Sequence, residues 1–313
     1  MLRYTLKRLL ATIPVMAIVA LFVFSLLYLS PGDPAAVIAG DIATEEDIAK
    51  IRAQLGLDQP YLVRFGSWLG DLARGDLGTS IFTQLPVSTL IGQRIEPTLA
   101  LTLCTLIVAV GLAVPLGVLA AARAGGWIDR IVMAVSVLGF SVPVFVIAYG
   151  LIFTFAVWLE WLPVQGYRSI TEGFVPFIRH MILPSLALGV VYMALIARIT
   201  RATMLDVLAQ DYVRTATAKG LAPGTVLVRH ALKNAAVPIV TIIGIGVALL
   251  IGGVVVTETV FAIPGLGRLT VDAILRRDYP IIQGVTLLFS AVYVLVNLLV
   301  DLSYSLFDPR IRY

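Results

Sequence analysis

Six apolar runs, each near 20 residues or longer, constrain this chain more than any other feature. They fall at about 9–29, 98–121, 131–158, 181–200, 236–257 and 281–306. A helix rises about 1.5 Å per residue, so each run can cross roughly 30 Å of hydrocarbon. A helix also closes its backbone hydrogen bonds within one segment, which lipid requires. The runs are continuous rather than alternating residue by residue, so a transmembrane β-barrel is excluded. Charge agrees: Asp, Glu, Lys and Arg make up 13% of the 313 residues, about half the ~25% usual in soluble domains. The expected fold class is an all-α integral membrane protein with six transmembrane helices.

Charge also sets the expected orientation. Arg3, Lys7 and Arg8 precede the first run, which is longer than the core of a cleaved signal and is followed by LSPGDPAA without a small-x-small site. A retained signal anchor with its N-terminus inside follows. Segments 1–8, 120–130, 198–235 and 307–313 then hold 13 Lys/Arg in 64 residues, against 10 in 113 for 30–97, 159–180 and 258–280. That is the positive-inside pattern, and 14 of the 19 acidic residues lie on the opposite side. Both termini are expected in the cytoplasm. The net charge of +4 is spread over short loops in this way, which argues against nucleic acid. The expected division is 1–29 (tail and first span), 30–97 (extracytoplasmic helical segment), 98–306 (five-helix core, with a cytoplasmic loop at 201–235) and 307–313 (cytoplasmic tail).

Within 30–97 two short helices are predicted. Thr44 precedes EEDIAKIRAQLG, with Ile48, Ile51 and Leu55 at helical spacing and Gly56 as the stop. Pro60 opens YLVRFGSWLGDLARG, with Leu62, Phe65, Leu69 and Leu72 on one face. Pro14, Pro115, Pro143 and Pro184 fall inside spans and imply kinks.

The chemistry the chain lacks is informative. A phosphate-cradling loop needs a lysine directly after its last glycine, and no Gly-Lys pair occurs anywhere. The two histidines, His180 and His230, fall on opposite sides of the expected topology, so a paired-imidazole metal site is excluded. The single cysteine, Cys104, lies in an apolar run and reads as a small buried hydrophobe. Asp301 is the only ionisable residue well inside a run; a proton relay or an end-of-helix hydrogen bond, to Tyr304 or a neighbouring helix, are the two readings. No catalytic, cofactor-binding or metal-ligating residue is expected, and the energy for any transport must come from a partner.

Residues Tyr212 to Pro238, YVRTATAKGLAPGTVLVRHALKNAAVP, form a basic island between two spans, with no Asp or Glu from Tyr212 to Thr257. Thr215, Ala216, Thr217, Ala218 and Gly220 make its first half small-surfaced, and a helix ended by Gly220 is predicted there. A second helix is predicted from Thr225 to Ala235. Small side chains allow close approach by another protein; anionic lipid headgroups are the other surface such a helix could meet.

The island resembles the cytoplasmic coupling loop of ATP-binding-cassette importer permeases. In the general pattern, Glu-Ala-Ala and three residues precede a glycine; Arg214 and Thr215 stand in the first two places, while Ala216 and Gly220 match. YVRTATAKG is similar to the version in the dipeptide, oligopeptide and nickel branch. So are RYTLKRLLATIPV, LSPGDPA, RGDLGTSI, SVPVFVIAYGLIF, WLPVQGY, LPSLALG, ETVFAIPGLGRL, RDYPIIQG, NLLVDLSY and DPRIRY, in that order along nearly the whole chain. The resemblance is to the first permease subunit, with its long outer loop. It implies the type I importer permease fold and import of di- or oligopeptides, with nickel complexes or glutathione as alternatives.

The implied partners are a second homologous permease, two ATPase subunits that carry ATP and Mg, an extracytoplasmic substrate-binding protein and the lipids of a bacterial or archaeal plasma membrane. Tyr212, Arg214, Thr215, Ala216, Ala218, Lys219 and Gly220 would make the ATPase-coupling contact, Ala216 and Gly220 closest. Glu258, Phe261, Pro264, Gly265 and Gly267 would face the binding protein or rim the pathway; an ordinary tight turn is the other reading there. A stand-alone ion-coupled carrier, a channel and a membrane scaffold are the competing classes.

Overall fold

The computed structural model describes residues 2–29, 33–39, 43–54 and 56–307. Ser30–Gly32 of the LSPGDPA motif, Leu55 and the closing DPRIRY lie outside the described residues. The described chain is helical, with a single isolated bridge between Thr79 and Pro86. Its helices are α1 (Leu2–Leu29), α2 (Pro34–Ala39), α3 (Glu45–Gln54), α4 (Tyr61–Ala73), α5 (Val87–Ala122), α6 (Trp127–Ser141), α7 (Val144–Leu151, continued by π-helical turns over Ile152–Trp158), α8 (Phe174–Leu208), α9 (Asp211–Ala218), α10 (Pro223–Thr225), α11 (Lys233–Val260), α12 (Leu266–Arg276) and α13 (Tyr279–Phe307). Five helices are long and apolar enough to cross a membrane, and α6 with the α7 stretch makes a sixth if counted as one span.

That third span is where the structure departs from the expected continuous run. Its two halves meet at 105°. Pro143 supplies no N–H, and a residue before proline is pushed out of the helical region; Val142 accordingly sits at φ −89°, ψ 127°. Pro14, Pro115 and Pro184 lie inside unbroken helices instead.

The chain divides into two compact units. One comprises Ile95–Arg268 with the residues from Tyr293 on, plus the first five residues. Its centre is α8, whose Met181, Leu183, Leu188, Tyr192, Ile196 and Met204 are buried on several sides of the helix. Neighbouring helices approach it through small residues, since in lipid close van der Waals packing replaces the hydrophobic drive. A Cβ on Gly117 of α5 would lie 2.7 Å from Thr200 Cβ and 2.8 Å from the Ala197 carbonyl oxygen. One on Gly139 of α6 would lie 2.9 Å from Val190, and one on Gly253 of α11 2.6 Å from Leu188.

The other unit comprises Leu6–Arg94 and Leu269–Val292. Thr44 caps α3 through a reciprocal box: its Oγ1 accepts from the Asp47 amide at 3.3 Å, and Asp47 Oδ2 accepts from the Thr44 amide at 3.2 Å. The Thr44 hydroxyl also donates to Asp47 Oδ2 at 2.6 Å, and this bond first, with the Thr44 amide bond next, holds the Asp47 carboxyl below its usual pKa. Gly56, at φ +62°, ends the helix as expected.

Helix α4 packs on α1 by part of the expected stripe, Phe65 and Leu72, joined by Tyr61 and Trp68. Leu62 and Leu69 are exposed, while Tyr61, Phe65 and Trp68 surround Phe24 with ring centroids 5.3–5.4 Å away. Aromatic rings bury more area than leucines and set the phase of the helix. Arg64 lies over the Phe24 and Tyr28 rings at 5.5 and 5.2 Å.

Candidate functional site

The basic island folds as a short helix held against the spans on either side. Helix α8 ends at Leu208, and α9 starts three residues later at Asp211. Val213 and Ala216, one turn apart, are buried together with Val226 and pack against Leu208. The chain then leaves α9 by a Schellman turn: the Gly220 amide donates to the Thr217 carbonyl at 2.9 Å and the Leu221 amide to that of Ala216 at 3.4 Å. Gly220 has φ +79°, and no other part of the chain lies within 4 Å of where its Cβ would be. The glycine is demanded by the backbone conformation and leaves open space around it.

With Val213 and Ala216 turned inward, Tyr212, Arg214, Thr215, Ala218, Lys219 and Gly220 are exposed. Arg214 lies 3.4 Å from Asp211, an exposed pair worth a few tenths of a kcal/mol at most. Ala216 is the exception among the residues expected to meet a partner, at 7% exposure. A helix of just over two turns has one hidden stripe, and the spacing of Val213 and Ala216 places it. Counting small residues without their phase missed this.

The predicted second helix is not separate. Pro223 to Val260 runs as one helix, with π-helical turns over Val226–Leu232. Ala231, Ala235 and Ile239 bury against Met204 of α8 and Ala121 of α5. Helix α9 thus rests on Val226, at the foot of a long span, and on Leu208, at the end of another.

At the far end of α11 the five residues of the ETVFAIPGLGRL motif have unequal positions. Glu258 is fully buried. Its Oε1 accepts from the Thr98 hydroxyl at 2.5 Å and its Oε2 from the Arg268 amide at 3.0 Å, while the Leu266 amide donates to Thr98 Oγ1 at 2.8 Å. Gly265 lies so close to the carboxylate that a Cβ there would overlap it, and one on Gly267 would sit 2.6 Å from Val255 Cα. Phe261 is buried, and its carbonyl accepts from the Gly166 amide at 2.8 Å. Of the five, Pro264 alone is exposed. The tight backbone the glycines permit is therefore wrapped around a carboxylate. Thr98 has no local signal in the sequence, being 160 residues away.

Two further arrangements were not visible in the sequence. Asp129 on α6 holds Arg201 on α8 in a two-pronged ion pair, Arg201 Nη2 lying 2.7 Å from Oδ2, and also accepts from the Gly125 amide at 2.9 Å. In the loop after the π-helical turns, Tyr167 and Ser169 both donate to Glu96 Oε1, at 2.9 and 2.5 Å. Burial chiefly, and Glu96 next, push the Tyr167 hydroxyl well above its usual pKa. Asp301 has an interaction within the chain; the Tyr304 side chain lies outside the described residues. Among the described residues no group of three His, Cys, Asp or Glu could hold a metal ion.

Fold and site together define a class: a helical protein that crosses a membrane several times and presents a short, largely exposed helix held at the ends of two of its spans. The chain belongs to the family of binding-protein-dependent transport system inner membrane components, whose model matches residues 113–313. The model of the N-terminal part of such membrane components matches residues 1–102. It is 58% identical over 310 residues, 99% of either chain, to the Sinorhizobium fredii protein named "Probable peptide ABC transporter permease protein y4tP". It is 46% identical over 313 residues, the whole of both chains, to the glutathione transport system permease protein GsiC of Salmonella typhi. In structure it is similar to a chain of the inward-facing MetNI methionine ABC transporter, with a TM-score of 0.60, 18% identity, and coverage of 71% of this chain and 97% of that one. The fold is that of a type I importer permease.

Proposed function

We propose that this chain is one permease subunit of an ATP-driven importer of di- and oligopeptides, forming half of the translocation pathway by alternating access. The geometry that carries this reading is α9. Its outer face, with Arg214 and the capping Lys219, is exposed, while its hidden face rests on Val226 and Leu208 at the ends of two long helices. A push on such a helix is transmitted to packed spans rather than absorbed by a loop, which suits a two-state transporter driven from outside. No Gly-Lys phosphate loop exists in the chain, so ATP and Mg belong to partner ATPase subunits. A second homologous permease and an extracytoplasmic binding protein complete the assembly. Both termini and α9 lie in the cytoplasm, as the density of basic residues there supports.

The peptide assignment follows the name of the 58% identical relative. Glutathione is the second reading, favoured by full-length similarity to a glutathione permease. The test is reconstitution with the partner subunits and binding protein in proteoliposomes. ATP-dependent uptake of labelled dipeptide, not displaced by excess glutathione, is expected. Displacement by glutathione moves the assignment to the second reading, and uptake driven by an ion gradient without ATP rejects both.

A further inference from the structure

We infer that the cavity beside the α6–α7 break receives the carboxylate end of the cargo, with Arg198 as its cationic partner. The inference rests on the peptide-importer reading and names a residue that would hold the peptide on its way through.

The cavity has a volume of about 260 Å³ and is lined from α6 by Met133, Ser136, Phe140 and Ser141 and from α8 by Ala194 and Arg198. Among the described residues, Arg198 is the only charged one of its lining. The nearest acid on α6, Asp129, is committed: its two oxygens take Arg201 and the Gly125 amide. Among the described residues no carboxylate forms an ion pair with Arg198, whereas Arg201 three positions on has one. The polar side chains of the wall do not compensate it either. The Ser141 hydroxyl donates to the Val137 carbonyl at 2.7 Å, and Ser136 is only 6% exposed.

The direction of the side chain argues against an ordinary lipid anchor. Met181 to Ala197 is a stretch of 17 residues without a charge, directly before Arg198, and it covers about 26 Å of helix. Helical side chains lean toward the N-terminus, over the preceding turn. Arg198 shares the cavity wall with Ala194, one turn before it, as that lean allows. A guanidinium that merely snorkelled to headgroups would reach the other way. An arginine placed at the edge of hydrocarbon without a partner is a site in search of an anion.

The ligand chemistry follows. Guanidinium matches carboxylate with two parallel hydrogen bonds, and partial exclusion of water strengthens the pair. Whole small-molecule sites run from about 300 to 1,000 Å³, so a cavity of about 260 Å³ takes the end of a peptide rather than all of it. Broken membrane helices recur at substrate sites because the break opens space between packed spans.

The test uses Ser141→Cys in a Cys104→Ala chain, assembled with its partners and binding protein in proteoliposomes. An anionic methanethiosulfonate reagent is expected to modify the introduced thiol faster than its cationic twin. Arg198→Gln should lower the anion-to-cation ratio about tenfold, as a local field of one charge in a low-dielectric cleft can, while Arg198→Lys keeps it. Saturating dipeptide should slow modification in the Arg198 and Lys chains but not in the Gln chain. Peptide uptake per ATP hydrolysed should fall in Arg198→Gln while stimulation of ATP hydrolysis by loaded binding protein persists. An unchanged reagent ratio, or a thiol that no reagent reaches, overturns the inference. Absence of ATP-driven peptide uptake by the unsubstituted assembly fails the importer reading instead, whatever the reagent ratio.

Discussion

The Thr98 hydroxyl donates a 2.5 Å hydrogen bond to the fully buried Glu258 carboxylate and accepts one from the Leu266 amide. One side chain on α5 thereby fixes both the end of α11 and the start of α12. Glu258 takes the Arg268 amide as well, so its removal leaves buried donors unmatched.

Glu258→Ala should therefore lower stability by about 1–3 kcal/mol, the usual cost of orphaned buried polar groups. Glu258→Gln keeps an acceptor oxygen for one donor and should lose less. Thermal unfolding of the purified chain in detergent measures both; equal melting temperatures for Ala and the parent would show that the carboxylate holds nothing. Gly265→Ala should behave like Glu258→Ala, because its methyl group would occupy carboxylate space.

The α9 stop separates a backbone effect from a surface effect. Gly220 is at φ +79° with free space around it. Asparagine tolerates that conformation, whereas valine should cost about 1–2 kcal/mol. Gly220→Asn is expected to keep binding-protein-stimulated ATP hydrolysis within about twofold and Gly220→Val to reduce it, both relative to that strain. Gly220→Trp adds bulk to the strained backbone and should abolish stimulation while the chain still inserts. Normal stimulation in the Trp variant would mean that this end of α9 touches no ATPase.

How much of this was legible in the sequence varies with the range of the forces involved. The spans were readable because a run of 20 apolar residues has one solution in lipid. The α9 boundary was readable because Gly220 and Pro223 act on their own backbone. The break at Pro143 was not: Pro115 and Pro184 sit in similar apolar runs and stay within continuous helices. After the turn at Pro143, α7 packs on α8 and α11, a tertiary arrangement that no local window contains. The Thr98–Glu258 and Asp129–Arg201 pairs were hidden for the same reason, with 160 and 72 residues between partners. The burial of Ala216 was not readable from its small size, because it follows from its phase with Val213 one turn earlier.

The aromatic seam between α1 and α4 yields a local prediction. Phe24 is 3% exposed and contacts the rings of Tyr61, Phe65 and Trp68. Phe24→Ala should cost about 3–4 kcal/mol, since it removes a buried ring and leaves a cavity. The loss should be local: amide hydrogen exchange across Tyr61–Ala73 should accelerate, while the α8 core keeps its protection. Uniform acceleration along the chain would mean that α4 is not a separate unit of unfolding.

The Asp129–Arg201 pair allows a stricter test, because geometry and charge can be separated. Asp129 is 6% and Arg201 26% exposed at the side chain, and both carboxylate oxygens are used. Asp129→Asn removes the charge but keeps the shape, leaving a half-buried guanidinium without its counter-charge. Breaking such a pair from one side should cost up to about 3 kcal/mol, mostly as the penalty of the stranded partner. Arg201→Met alone strands Asp129 at similar cost, but the double change Asp129→Asn with Arg201→Met should recover much of the loss. A melting-temperature cycle over the four chains gives the coupling directly. Additive single effects would mean that each residue is held by its own helix, and that α6 and α8 are joined by Gly139 and its neighbours alone.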